Sequence, residues 1–196
     1  MREYEEEVYP MKKTDVCPWQ AAPVLLMSIR KPFHNPRSIV DKYISDGMTV
    51  LDIGCGMGYF SIPMADMVGE SGKVIATDLQ SEMLDGLKRY SAKAGVNNII
   101  THKCEKNTLA LDGWAGKIDL ALIFWMLHEV PDSQRLIHEV RSALSDYGVL
   151  FFSEPKLGHV SAKQFEASLD MITLTGFKIT ASPKVTLGRT ALLEKI

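Results

Sequence analysis

The chain has 196 residues, 46% of them hydrophobic and 23% charged, with a formal net charge of −2 at pH 7. That length and apolar content suit one domain with a full core and exclude a disordered chain. The near-neutral charge provides no basic footprint for nucleic acid or for an anionic membrane surface.

Cys17, Cys55 and Cys104 form no CxxC pair, so neither a zinc site nor a disulfide framework is expected, and a reducing, cytoplasmic setting fits best. The acidic start (residues 1–7) lacks the charged-then-apolar pattern of a signal peptide. The longest apolar runs, residues 22–29 and 118–127, are too short to span a bilayer, so no membrane insertion is expected.

Residues 1–16 are charged and aperiodic and read as an arm. Residues 17–46 mix Pro18, Pro23, Pro32 and Pro36 with Trp19 and Phe33, which favours short helical pieces and turns. Ser38 is expected to cap a short helix over residues 39–44. From residue 48 the pattern becomes regular. Residues 48–53 read as a buried strand ending in glycines, and residues 59–68 carry helical spacing. Residues 73–77 form a second strand ending at Asp78. A helix opens at Ser81, runs to about Lys93 and is stopped by Gly95. Residues 98–102 are a third, short strand. Residues 118–124 are apolar on nearly every position, as a central parallel strand requires. Asp132 and Ser133 cap a helix running through Leu144, residues 147–153 form a fifth strand, and a helix over 161–175 stops at Gly176. Strands over 177–181 and 189–194 have no helix between them and should pair as an antiparallel hairpin. The expected fold is α/β: a doubly wound, seven-stranded sheet, mostly parallel, with a C-terminal antiparallel hairpin and helices on both faces.

The strongest local signal is Asp52-Ile53-Gly54-Cys55-Gly56-Met57-Gly58, between the first strand and the first regular helix. Glycine permits sharp backbone turns and close ligand approach, in the crevice where open α/β sheets bind ligands. A dinucleotide fingerprint would place its third glycine at position 59, where Tyr59 stands. A carboxylate beside the loop, Asp52, suits a cationic ligand rather than a pyrophosphate. Asp78, twenty positions after Gly58, is placed to accept hydrogen bonds from a ribose diol.

These residues resemble class I S-adenosylmethionine-dependent methyltransferases, with a Rossmann-like fold, and are most similar to the small quinone-biosynthesis (type 11-like) enzymes. Residues 124–132 and 139–148 resemble the stretches after the fourth strand and before the fifth. The resemblance covers residues 36–196, the expected domain, and leaves residues 1–35 as an N-terminal arm and substrate-cap segment. It implies S-adenosylmethionine as cofactor. Gly54, Gly56 and Gly58 would pass under its methionine part, with Asp52 near the ammonium or a bridging water. Asp78 would hold the ribose, Leu79 would flank the adenine, and Phe124 would line the methionine end. The adenine amino group usually meets an Asp after the third strand; the matching positions here carry Cys104 and Glu105.

The implied activity is methyl transfer from S-adenosylmethionine to a small-molecule acceptor, with no nucleic-acid partner; a homodimer is compatible with it. The alternatives are a non-catalytic S-adenosylmethionine-binding protein and a nicotinamide-dependent oxidoreductase. Methyl transfer needs a base only when the nucleophile arrives protonated. His128 and Glu154, at the ends of the fourth and fifth strands, are the catalytic candidates. His128 could instead order its loop, and Glu154 could be a solvated acid or a partner of Lys156. Trp19, His34, Trp125 and Glu129 are substrate-pocket candidates, though Trp19 and His34 suit plain packing of their segment and Trp125 suits the core. His102, His138 and His159 read as surface residues. Convergence of the three cysteines on a metalloid is a remote alternative, and no metal site is expected.

Overall fold

The computed structural model describes residues 34–156, 158 and 160–196. The elements are α1 (Pro36–Val40), β1 (Thr49–Ile53), α2 (Ser61–Met67), β2 (Lys73–Asp78), α3 (Ser81–Ala94), β3 (Ile99–Lys103), β4 (Ile118–Phe124), α4 (Ser133–Ala143), β5 (Leu144–Pro155), α5 (Ala162–Leu174), β6 (Phe177–Ala181) and β7 (Gly188–Lys195). The seven strands lie in the order β3-β2-β1-β4-β5-β7-β6. β3 through β5 run parallel, and β7 is antiparallel to both β5 and β6, as the sequence predicts.

Alternation along each strand divides the core in two, because successive side chains leave a strand on opposite faces. Leu51, Ile53, Ile75, Ala121, Ile123, Leu150 and Phe152 pack with Ile137 and Val140 of α4 and Phe165 and Ile172 of α5. Val50, Val74, Ala76, Leu120, Leu122 and Phe151 pack with Met64 of α2 and Leu84 and Leu87 of α3. Helices therefore cover both faces. The connection reverses direction between β1 and β4, and the crevice above their carboxyl ends is where such sheets bind ligands.

Helix ends mostly follow their expected signals. Asp132 accepts the Arg135 amide, Ser161 and Gln164 form a reciprocal capping box, and Gly95 closes α3 in the left-handed region. Ser38 is not the cap expected of it. Asn35 accepts the Arg37 amide and Pro36 occupies the first turn, where its missing N–H costs nothing, so the helix starts earlier. β5 also starts earlier than expected, directly from α4 at Leu144, with a register shift against β4 between Ile118 and Leu120. No helix among the described residues is long and apolar enough to cross a membrane.

Candidate active site

The glycine loop leaves β1 above the sheet and is fixed from below. The amides of Gly54 and Cys55 both donate to the Thr77 carbonyl at 2.9 Å, drawing the loop against the end of β2. Gly58 has φ +93°, and a Cβ there would lie 2.3 Å from Leu87 Cδ1 of α3. A side chain would thus be strained in backbone and in space. Gly56 has φ +54°, and a Cβ there would meet only Met83 Sδ, 4.0 Å away, so the loop's crest is open on that side.

Two acids flank the loop. Asp52 is 3% exposed and accepts the Ser61 hydroxyl at 2.5 Å. Burial pushes its carboxyl up to about 7; the Ser61 hydrogen bond opposes the shift and the neighbouring Asp78 charge adds to it. Asp78 accepts the Gly56 amide on one oxygen and the Gln80 amide on the other, each at 2.9 Å. It thereby ties the loop to the entry of α3. Burial raises its carboxyl above the usual range, against these backbone hydrogen bonds. Among the described residues neither acid forms a salt bridge.

On the β2–β3 side, Leu79, Lys103, Cys104, Glu105 and Lys106 line a pocket of about 480 Å³, open to solvent. Leu79, Cys104 and Glu105 are thus brought together beside Asp78, whose carbonyl accepts the Cys104 amide at 3.1 Å. Cys55 and Cys104 are buried free thiols. Burial, then the charges of Asp52 and Asp78, push Cys55 well up; burial, then Asp78, push Cys104 to about 11. Both are therefore protonated thiols at neutral pH. Cys17 and Trp19 lie outside the described residues, as do His159 and Phe33. Among the described residues no group of three His, Cys, Asp or Glu side chains is placed to hold a metal ion.

On the β4–β5 side stands an aromatic wall. Phe124 stacks on Trp125 with centroids 5.4 Å apart and meets Phe60 at 4.5 Å. Trp125 has φ +61°, a backbone conformation costly for a bulky residue and concentrated at functional sites. Its amide donates to the Ser153 carbonyl at 2.8 Å. His34 meets Trp125 edge-on at 4.5 Å, and its Nε2 lies 2.6 Å from the Thr186 carbonyl. Its own carbonyl accepts the Tyr59 hydroxyl at 2.7 Å. His34 is 4% exposed, so this end of the N-terminal segment is packed into the domain.

On the turn that follows Trp125, Glu154 holds His128. One carboxylate oxygen accepts the His128 amide at 3.0 Å and the other lies 2.7 Å from Nδ1. Glu154 is 1% exposed, which corrects its reading as a solvated acid or a Lys156 partner. Burial of the His128 ring opposes protonation. The Glu154 hydrogen bond and charge, with the Glu129 charge, outweigh it and hold the imidazole above its ordinary pKa. His102 is likewise not the surface residue expected: half-buried, its Nε2 lies 2.8 Å from the Leu109 carbonyl. His138 is exposed as expected.

Sequence reading missed two partners, Ser61 and Gln80, and offered Met126 only as a residue that could soften a pocket. Ser61 follows Gly58 by three residues, so its proximity to the loop was readable. Met126, whose side chain lies 3.0 Å from where a Gly54 Cβ would stand, becomes a neighbour only through the β1–β4 pairing.

A family profile described as "Methyltransferase domain" matches residues 44–185. The chain is 32% identical over 108 residues to a ubiquinone biosynthesis O-methyltransferase of Erwinia tasmaniensis, a match covering 55% of this chain and 42% of that protein. It is 30% identical over 102 residues to a demethylmenaquinone methyltransferase of Lactococcus lactis, covering 52% and 40%. These matches span about half or less of the relatives' own length. A crystal structure of an S-adenosylmethionine-dependent methyltransferase from Aquifex aeolicus superposes with a TM-score of 0.80 at 23% identity, over 90% of this chain and 99% of that one, and so shares the fold.

Proposed function

The chain belongs to the methyltransferase-domain family, and from that premise we propose that it transfers a methyl group from S-adenosylmethionine to a small-molecule acceptor. The observation that carries the reading is the pair of buried acids, Asp52 and Asp78, flanking an open glycine loop without a salt bridge among the described residues. Two desolvated carboxylates repel each other, and each has its carboxyl raised. A cationic ligand seated on the loop would relieve both effects. A pyrophosphate would aggravate them, which disfavours a nicotinamide dinucleotide.

The residues fit that donor. Gly54, Gly56 and Gly58 would underlie its methionine part and Asp52 its ammonium. Asp78 would hold the ribose, with Leu79, Cys104 and Glu105 beside the adenine. Phe124 would border the methionine end, and Trp125 and Glu129 the acceptor. When bound, S-adenosylmethionine supplies a methyl group on a sulfonium, already a good leaving group. What remains for the chain is to orient the acceptor and to exclude water.

A small-molecule rather than nucleic-acid acceptor is supported by the net charge of −2 and by relatives named for ubiquinone and menaquinone steps. Free Cys55 and Cys104 support a reducing, cytoplasmic setting. Sedimentation of the same protein tests a homodimer. Calorimetry tests the main reading. S-adenosylmethionine and S-adenosylhomocysteine should bind and NAD should not; tight NAD binding with no response to S-adenosylhomocysteine would sink it.

A further inference from the structure

Resting on the methyl-transfer reading, we propose that Glu139 of α4 is a positioning residue for the donor. It holds the turn over residues 105–109 that walls the adenine side of the pocket, and acts on S-adenosylmethionine affinity through that turn.

β3 ends at Lys103, and the residues that follow, Cys104, Glu105 and Lys106, line the pocket beside Asp78. The chain reverses there. The Glu105 amide donates to the Thr108 carbonyl at 2.9 Å, and the Thr108 amide to the Glu105 carbonyl at 3.3 Å. Glu105 and Lys106 are exposed. An exposed turn closed by two hydrogen bonds has little stability of its own. A pocket wall built on it must be held from elsewhere.

Glu139 supplies that hold. Its Oε2 accepts the Leu109 amide at 2.6 Å and the Thr108 hydroxyl at 3.0 Å. Thr108 Oγ1 in turn accepts the Ala110 amide at 3.0 Å. From the strand side, His102 Nε2 lies 2.8 Å from the Leu109 carbonyl. Leu109 is buried in the same core as Ile137 and Val140 of α4. The end of the turn is thus clamped by a helix and a strand together. Ala110, the next residue, has φ +51°, which is costly for a residue with a Cβ. Strain of that kind persists only where the surroundings over-determine it, and it clusters at ligand clamps.

Charge places Glu139 close to the pocket. After burial and the Asp78 charge, the Glu139 charge is a further cause that raises Cys104. The other Glu139 oxygen, Oε1, meets Arg135 Nε at 3.3 Å, in a pair whose arginine is exposed. Such pairs contribute little. Hydrogen bonds to a carboxylate are the stronger kind, so the two bonds to the turn give Glu139 its role. Both end on one oxygen, and an amide side chain of the same length can keep them.

The test uses the full chain and S-adenosylhomocysteine, read by calorimetry and by amide hydrogen exchange over residues 104–110. In wild type the ligand should slow that exchange. Glu139→Ala should quicken it in the free protein, leave exchange over residues 50–58 unchanged, and weaken binding by about tenfold. Glu139→Gln and Arg135→Ala should each bind within about twofold of wild type. Thr108→Val removes one of the two bonds and should weaken binding by about three- to fivefold. It carries the test should Glu139→Ala not fold. A residue that only stabilises α4 would leave affinity unchanged well below the melting temperature. Wild-type binding without protection over residues 104–110 overturns this inference alone, as does wild-type affinity in Glu139→Ala or, in its place, Thr108→Val. Failure of wild type to bind S-adenosylhomocysteine overturns the reading beneath it.

Discussion

Ser61 donates its hydroxyl to Asp52 at 2.5 Å, joining the start of α2 to the end of β1 under the glycine loop. That one hydrogen bond does not offset the burial of the acid, whose carboxyl rises from 3.8 to about 7. The folded state therefore holds a proton that the unfolded chain releases near pH 4. Between these values the folded protein binds more protons, so Asp52's contribution to stability is full below about pH 4 and is lost as pH rises through 7. Asp52→Asn should remove this dependence. Relative to wild type, its melting temperature should be unchanged near pH 4 and higher at pH 8 by about 2–8 °C, as 1–2 kcal/mol gives in a chain of this size. The same substitution should weaken S-adenosylhomocysteine binding at pH 8. Differential scanning fluorimetry and calorimetry read the two effects; loss of stability at pH 8 would overturn the burial cost argued for this acid, and unchanged affinity would overturn its ligand role.

Asp78 joins Gly56 to Gln80 through its two oxygens, so it orders the loop and the start of α3 together. Asp78→Asn keeps one acceptor oxygen and should weaken S-adenosylhomocysteine binding by about tenfold. Asp78→Ala keeps none and should weaken it by about a hundredfold or more, since losing a charged acceptor exceeds losing a neutral one. Equal affinity for Asp78→Ala and wild type in calorimetry would refute both its ribose role and its part in shaping the loop.

What the sequence shows of this site follows from distance along the chain. The glycine loop, Asp52 and Asp78 were legible because one strand–loop–helix–strand unit carries them all. The double-sided apolar pattern of residues 118–124 gave β4 its central place. The Glu154–His128 pair was not legible, because it depends on β4 and β5 being neighbours across 26 residues. Read alone, Glu154 looks like a rim acid beside Lys156. His102 was misread for the same reason: its partner, the Leu109 carbonyl, is brought back by a turn with no sequence signature. The helix start at Pro36 was legible in principle, from an Asn followed by Pro, but Ser38 offered a competing cap.

Two loop glycines should respond differently to a methyl group. Gly56→Ala meets open space and a left-handed φ of +54°, and should cost about 1–2 kcal/mol from backbone strain. Gly58→Ala also drives its Cβ to 2.3 Å from Leu87 Cδ1 and should cost about 2–4 kcal/mol. Urea denaturation measures both. If the Leu87 contact is the cause, Gly58→Ala combined with Leu87→Ala should cost less than the sum of the single changes. Strict additivity would place the cost in the backbone alone.

His34 decides whether the N-terminal approach to the domain serves packing or substrate. It is 4% exposed, its Nε2 lies 2.6 Å from the Thr186 carbonyl, and its carbonyl accepts the Tyr59 hydroxyl. Its ring fills the edge of Trp125. Each contact joins the segment before α1 to a different part of the rim: the entry to α2, the end of β4 and the β6–β7 connection. His34→Leu keeps much of the volume but leaves the Thr186 carbonyl without that donor, and should cost about 1–3 kcal/mol. Tyr59→Phe should cost about 1 kcal/mol from the loss of one hydrogen bond. If packing is the role, S-adenosylhomocysteine affinity stays within about threefold in both, because the hydrogen bonds described for them run to the Thr186 carbonyl and to each other. A loss of affinity above tenfold in a His34→Leu protein of wild-type stability would instead make His34 part of the binding site.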